Sequence, residues 1–182
     1  MTARRRLLRL LPVLAALILL SLTAVACGTE EDKTDLIEGE PVELGDLEYN
    51  VLFSRFLNPN DVEDREYLVG QPAPEPDELY LGVFMQVENT GDEAARLPET
   101  LTVTDTGHQT YFPIESESPY ALHLGDRIGG KDEAPALDSS AQVGPIGGSM
   151  VLFSISDQST EDRPLKLIIP GQDGPAEVEL DI

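Results

Sequence analysis

The sequence predicts an all-β protein, an antiparallel sandwich of about seven strands, carried behind a leader and an acidic tether. Three observations predict it. From residue 47 onward, apolar residues recur with period two in short runs. Turn chemistry separates the runs, as in Asn89-Thr90-Gly91-Asp92 and Asp105-Thr106-Gly107. Beyond the leader, no window longer than about ten residues keeps a helical period well.

The leader comes first. Arg4, Arg5, Arg6 and Arg9 form a positive start, and Leu10–Val25 is an apolar run broken only by Pro12, Ser21 and Thr23. Ala24 and Ala26 are small residues ahead of Cys27, the only cysteine in the chain. This is the layout of a secretory signal over residues 1–26. Its run of roughly 16 residues is shorter than the roughly 20 that span a bilayer. The stretch Ala24-Val25-Ala26-Cys27 resembles the bacterial lipobox, with Ala24 where leucine is commonest. That resemblance implies cleavage before Cys27 and a diacylglycerol on its thiol. An uncleaved signal anchor and plain secretion with a free thiol are the alternatives. The expected location is outside the cytoplasm, lipid-anchored to the bacterial cell membrane. With one cysteine there is no internal disulfide, so the body must be stable through its core.

Residues 27–46 follow as an acidic linker. The stretch GTEEDKTDLIEGEPVELGD carries many carboxylates, one lysine and few large apolar groups, a composition that predicts disorder. Fully extended, about 19 residues reach at most roughly 65 Å, so the linker reads as a tether. The whole chain has 34 acidic and 12 basic residues. Loss of the four leader arginines leaves eight basic against 34 acidic, a formal charge of −26. Such a surface repels phosphate backbones and anionic headgroups, which excludes nucleic acid as a partner. Solubility and standoff from the membrane account for the acidity. A weak divalent cation or a basic partner is the functional alternative.

Residues 47–182 are the predicted sandwich domain, long enough to bury roughly two-thirds of the unfolded surface. Leu47, Tyr49, Val51 and Phe53 alternate with Glu48, Asn50 and Leu52, a half-buried strand. In LYLGVFMQVE, Leu79, Leu81, Val83, Met85 and Val87 share one face while Tyr80 and Phe84 occupy the other, so this strand is central. Leu97, Leu101 and Val103 mark a third strand, and Asp105-Thr106-Gly107 turns it into a hairpin with 108–114. Residues 150–155, 165–169 and 178–182 complete the set. Two connections, 58–78 and 115–148, are longer than structureless loops usually are, which makes either a candidate binding surface.

These punctuations resemble the telokin-like, immunoglobulin-like domain of uncharacterised bacterial lipoproteins. The matching residues are Val87, Asn89 and Gly91 at a strand end, Asp105 and Gly107 before Tyr111, and Phe153 and Ile155 in a late strand. Gly107 stands one place early for that pattern. The resemblance covers about residues 47–170 and implies an extracytoplasmic immunoglobulin-like sandwich with no established reaction. It brings no functional residue with it.

Several constellations invite chemistry. Asp105-Thr106-Gly107 spells the catalytic triplet of aspartic proteases, but His108 follows where a small residue is usual, and the triplet is ordinary turn chemistry. Gly125 to Lys131 fits the phosphate-cradling spacing, yet Asp132 stands where a hydroxyl should meet magnesium. His108 and His123, the only histidines, are read as exposed or locally bonded rather than as ligands. Asn58 to Asp64 alternates oxygen side chains, but Val62 breaks the calcium pattern. The expectation is a non-enzyme without catalytic, cofactor-binding or metal residues, with Cys27 as the lipidated site. It displays a binding or structural module to an unidentified protein or peptide. The alternatives are an extracytoplasmic hydrolase built on loop carboxylates or a metal, and a divalent-cation-binding protein.

Overall fold

The computed structural model describes residues 33–182; the leader, Cys27 and residues 27–32 of the linker lie outside the described residues. The folded body begins earlier than expected. Within the stretch read as a tether, Leu36–Ile37 form strand β1 and Pro41–Leu44 form β2. Acidic composition hides a period of two there: Val42 and Leu44 are buried while Pro41 and Glu43 are exposed. Gly45 and Asp46 then make a two-residue turn into β3 (Leu47–Leu57). Gly45 takes a φ of +68° and Asp46 a negative one, the glycine-first arrangement of a tight hairpin.

The remaining strands assemble as two facing sheets. In the second sheet, β3 pairs antiparallel with β4 (Glu78–Asn89), and β4 with β10 (Ser149–Ser156). Its order is β10, β4, β3, β2, and β9 (Glu133–Ala134) adds to the end of β4 beyond β10. The first sheet runs β1, β12 (Ala176–Leu180), β11 (Leu165–Ile169), β6 (Thr102–Thr104), β7 (Thr110–Tyr111). Only β1 pairs parallel within it, to β12. A two-residue ribbon joins β5 (Ala95–Arg96) to β8 (Arg127–Ile128), and one helical turn, α1, covers Ser140–Val143.

The core lies between the sheets. Val103, Leu167 and Val178 of the first sheet meet Tyr49, Val83 and Phe153 of the second in one buried cluster. Both margins are sewn. Glu38, in the crossing from β1 to β2, accepts bonds from Ser54 Oγ and from the Asp181 amide. At the other margin, Pro113 bridges to Phe153 just after β7, so one continuous segment touches both sheets.

β4 is central, as its sequence predicts, and both of its faces are buried from Tyr80 to Met85, while Gln86 and Glu88 are exposed. The prediction for β3 needs one correction. Leu47, Tyr49 and Val51 enter the main core, but Phe53 does not. The register slips between Val51, opposite Met85, and Phe53, opposite Phe84. This bulge inserts one residue and inverts the side-chain alternation, so Phe53 stacks on Phe84 across the opposite face.

That opposite face carries a second core. Leu57, Tyr67, Leu68, Tyr80, Phe84, Met150 and Leu152 cluster there, roofed by the two long connections. The outer face of the first sheet is left to solvent, with Lys166 and Glu177 paired across it at 3.1 Å. That pairing holds the Lys166 ammonium above its ordinary pKa. Three layers thus replace the simple two-layer sandwich.

Candidate functional site

The two long connections meet, and buried polar anchors explain why. Asp64 sits inside the first of them and is 4% exposed. Its carboxylate ion-pairs with Arg55 and accepts from the Asn58 amide at 2.8 Å. The Arg55 guanidinium in turn lies 5.7 Å from the centre of the Tyr67 ring, a cation over an aromatic face. Tyr67 meets Phe84 edge-on, with ring centres 5.1 Å apart, and Tyr120 at 4.8 Å. Tyr120 belongs to the second connection and donates to Glu66 at 2.9 Å. That bond to a carboxylate, with burial behind it, raises the Tyr120 phenol above its ordinary pKa. Ser118 Oγ donates to the Glu66 carbonyl at 2.7 Å and Gln71 to the Glu115 carbonyl at 2.7 Å. The loops therefore hold each other as well as the sheet.

The second connection then runs along the outer edge of β10. Ile114 donates to the Leu152 carbonyl at 2.8 Å; further on, Leu122 donates to Met150 and Met150 to Tyr120. Two grooves flank this segment, each of about 790 Å³. The ribbon groove lies toward β8, β9 and α1, over Leu97, Leu122, Ile128 and Ala141. Its rim mixes charges: Arg127 and Lys131 stand among Glu88, Asp126, Asp132 and Glu133.

The edge groove lies over Met150–Leu152, between walls made of 113–117 and 121–124, with Gly70 and Gln71 of the first connection beside it. Glu99, Glu115, Glu117 and Asp126 rim it, and among the described residues neither lysine nor arginine lines it. Two glycines in the left-handed region bring backbone against these carboxylates. A methyl group added at Gly125 would stand 2.9 Å from Glu99 Oε2, and one at Gly70 would stand 3.0 Å from Glu117 Oε2.

The residues singled out from sequence fall in separate places. Cys27 lies outside the described residues. His108 is in the β6–β7 turn, while His123 lines both grooves. Asp105 is buried in that turn, where it accepts from the Gln109 amide at 2.8 Å and from Ser159 Oγ at 2.7 Å. Ser159 also bonds Tyr111. The left-handed residue of the turn is His108, φ 67°, rather than Gly107. Gly125 to Lys131 holds strand β8 and a turn, with the Lys131 ammonium on the Thr90 carbonyl. Asn58 and Asp61 turn their side-chain oxygens to the Asn60 and Glu63 amides, and Asp64 to Asn58 and Arg55. Among the described residues, no group of three His, Cys, Asp or Glu is gathered to hold a metal.

One structural residue has a role that its sequence context does not reveal. Asn89 is wholly buried, and its amide donates to the carbonyls of Glu93, Ile128 and Gly129 at 2.8 to 3.0 Å. Its Oδ1 accepts from Gly91 at 3.0 Å, and its backbone bonds Asp132 and Lys131. It pins the ribbon and the β8–β9 turn to the end of β4. The signal is present in Val87-Glu88-Asn89-Thr90-Gly91, where it reads only as turn punctuation.

Solved structures share this architecture. An uncharacterised β-sandwich protein from Clostridium difficile matches with a TM-score of 0.52 at 13% identity, over 84% of this chain and 97% of that one. The yjhA protein from Bacillus subtilis gives 0.54 at 15%, over 80% and 99% respectively. A conserved hypothetical protein from Bacillus anthracis gives 0.50 at 8%, over 78% and 94%. At such identities the fold alone is shared. No protein-family model matches the chain, and no curated protein sequence does. The chain is an antiparallel β-sandwich.

Proposed function

We propose that the protein is a lipid-anchored module of the bacterial cell surface that binds a protein or peptide through its loops and catalyses no reaction. The observation that carries this reading is the convergence of both long connections on the β10 edge. Loops that only link strands need no buried anchor. These have Asp64, Ser118, Tyr120 and Gln71 tying the connections to each other and to the sheet, with Gln71 in the wall of the edge groove. The telokin-like, immunoglobulin-like identity belongs to the same reading, supported by the facing sheets and by the resemblance at Asn89, Asp105 and Phe153.

The working mechanism is display. Acylation of Cys27 would hold the chain at the membrane, each buried methylene adding about 0.8 kcal/mol. The docked body then starts close by, because the Lys33 carbonyl already accepts from the Glu177 amide. Five residues lie between Cys27 and Lys33, six steps along the chain with a reach of at most roughly 20 Å, so the standoff is shorter than the sequence implies.

Two measurements test this. Mass spectrometry of the native full chain should find residue 27 as a diacylglycerol-bearing N-terminus. Cross-linking on intact cells, with reactive groups placed at exposed Glu117 and Asp126, should capture one defined protein. A bare Cys27 on a chain with its leader intact would overturn the anchor. Turnover of a hydrolase substrate panel with nothing captured would overturn the module.

A further inference from the structure

Charge is missing from one part of the surface. From Ser139 to Ser156 no side chain ionises, and beyond the leader no other stretch without a charged residue is as long. Residues 149–156 of it are β10; residues 139–148, with α1, are the end of the second connection. Val143 there is 68% exposed, Pro145 is exposed, and Val62 of the first connection is 71% exposed. In a chain of formal charge −22, polar side chains would suit such positions better. Exposed apolar groups gathered in one place mark a contact surface.

A third groove, of about 490 Å³, lies there, lined by Val62 of the first connection and by Pro145 and Ile146 of the second. Phe53, Tyr67 and Tyr120 complete its apolar lining. These rings brace one another. Phe53 stacks on Phe84 with centres 4.8 Å apart, and Tyr67 lies 4.8 Å from Tyr120, tilted by 57°. The loop backbone is fitted to the same rings: a methyl group added at Gly144 would stand 2.8 Å from Tyr120 Cε1. Gln86 Nε2 donates to the Gly147 carbonyl at 2.8 Å and fixes the end of the loop. The groove is thus shaped before a partner arrives, which lowers the cost of binding. Arg55 lines it too, but Asp64 neutralises that charge. Glu63 and Glu66 also line it, and among the described residues neither forms an ion pair.

We infer that this aromatic groove takes a proline-rich segment in the polyproline II conformation, with a lysine or arginine at one end. Such a segment is already extended when free, so docking orders little, and aromatic-lined grooves are where it binds. Its pyrrolidine rings and aliphatic side chains lie against Phe53, Tyr120, Val62 and Pro145, and its cation reaches Glu63 or Glu66. It needs no open strand edge, because its contacts are made by side chains. The carboxylates also argue against a second copy. The chain's own proline-rich stretch, Pro72 to Pro76, carries Glu75, and two strongly acidic molecules repel. This rests on the binding-module reading and names the class of partner.

The probe is a short synthetic peptide, one arginine followed by prolines and leucines, titrated into the full chain in detergent micelles. It should shift the Val62 methyl and Ile146 amide resonances. Val62→Asp, at a site too exposed to disturb folding, should bind about tenfold more weakly, because it puts a carboxylate in the apolar wall. Leu137→Asp adds the same charge at a position 73% exposed and outside this groove, and should bind as the parent does. Glu63→Gln should keep the binding but remove part of its salt dependence. Equal weakening by Val62→Asp and Leu137→Asp would reduce the effect to general surface charge and overturn the inference. So would equal affinity for a peptide of one arginine and glycines, which has the charge without the polyproline form, or binding with the Val62 and Ile146 resonances unmoved. Self-association of the full chain that Val62→Asp abolishes would make a second copy the occupant and overturn it as well. Failure to bind the proline peptide, while cell-surface cross-linking still captures a defined protein, would overturn this occupant and leave the module standing.

Discussion

Asn89 and Tyr49 carry different burdens at the same depth. Replacing Asn89 by alanine removes bonds to three carbonyls and one amide; the Gly129 carbonyl keeps the Asp132 amide as a donor, while each buried group left unpaired costs about 1–3 kcal/mol. Part of that cost relaxes away, so Asn89→Ala should lose about 3 kcal/mol or more, read as a lower urea midpoint at unchanged slope. Tyr49 matters through its proton. Burial pushes its phenol up to about 12 from an ordinary 10.0, because ionisation would put charge into the core. A raised folded value means the folded state holds the proton longer than the unfolded one. The stabilisation is therefore complete below pH 10 and lost as pH rises towards 12. Tyr49→Phe should flatten that decline, and tyrosinate absorbance from this residue should appear only with unfolding. Of these two residues, the sequence marks Asn89 as a turn signal and Tyr49 as a core position; the partners of Asn89 lie about 40 residues away and depend on the fold.

At the scale of elements, the two faces of β4 are the test. Period two in LYLGVFMQVE makes both faces apolar in its first half, and that much is legible in the residues themselves. What covers the second face is not, since it consists of connections without periodicity. Phe84 is fully buried there against Phe53 and Tyr67. Phe84→Ala should cost about 3–5 kcal/mol in chemical denaturation, the loss of a true core ring. A loss typical of a surface site, within about 0.5 kcal/mol, would mean that the roof contributes no core. β3 shows why strand patterns mislead locally. Its alternation holds from Leu47 to Val51 and blurs at the apolar run Val51-Leu52-Phe53, where the bulge inverts it and Phe53 gains a stacked ring on the far side. β1 and β2 show the opposite failure: acidic composition masks the short alternation of Val42 and Leu44.

At the scale of the whole molecule, charge sets a background under every contact. A formal charge of −22, or −26 without the leader, repels itself in the folded state. Salt screens exposed charges over about 10 Å at 0.1 M, so the thermal midpoint should rise as sodium chloride is added from low ionic strength. A falling midpoint would mean that exposed pairs such as Lys166–Glu177 outweigh the repulsion. Alternation of side chains determined, from the sequence alone, that the body is a β-sandwich with β4 at its centre, since a period of two states which residues must leave water. The leader and Cys27 lie outside the described residues, so the lipidated N-terminus stays a reading of residue types. Only the tertiary structure decided that the acidic stretch before residue 47 joins both sheets, and that the two long loops meet at Leu152. Those outcomes depend on contacts between residues far apart in the chain, such as Ser118 with Glu66, and local periodicity carries no record of a distant partner.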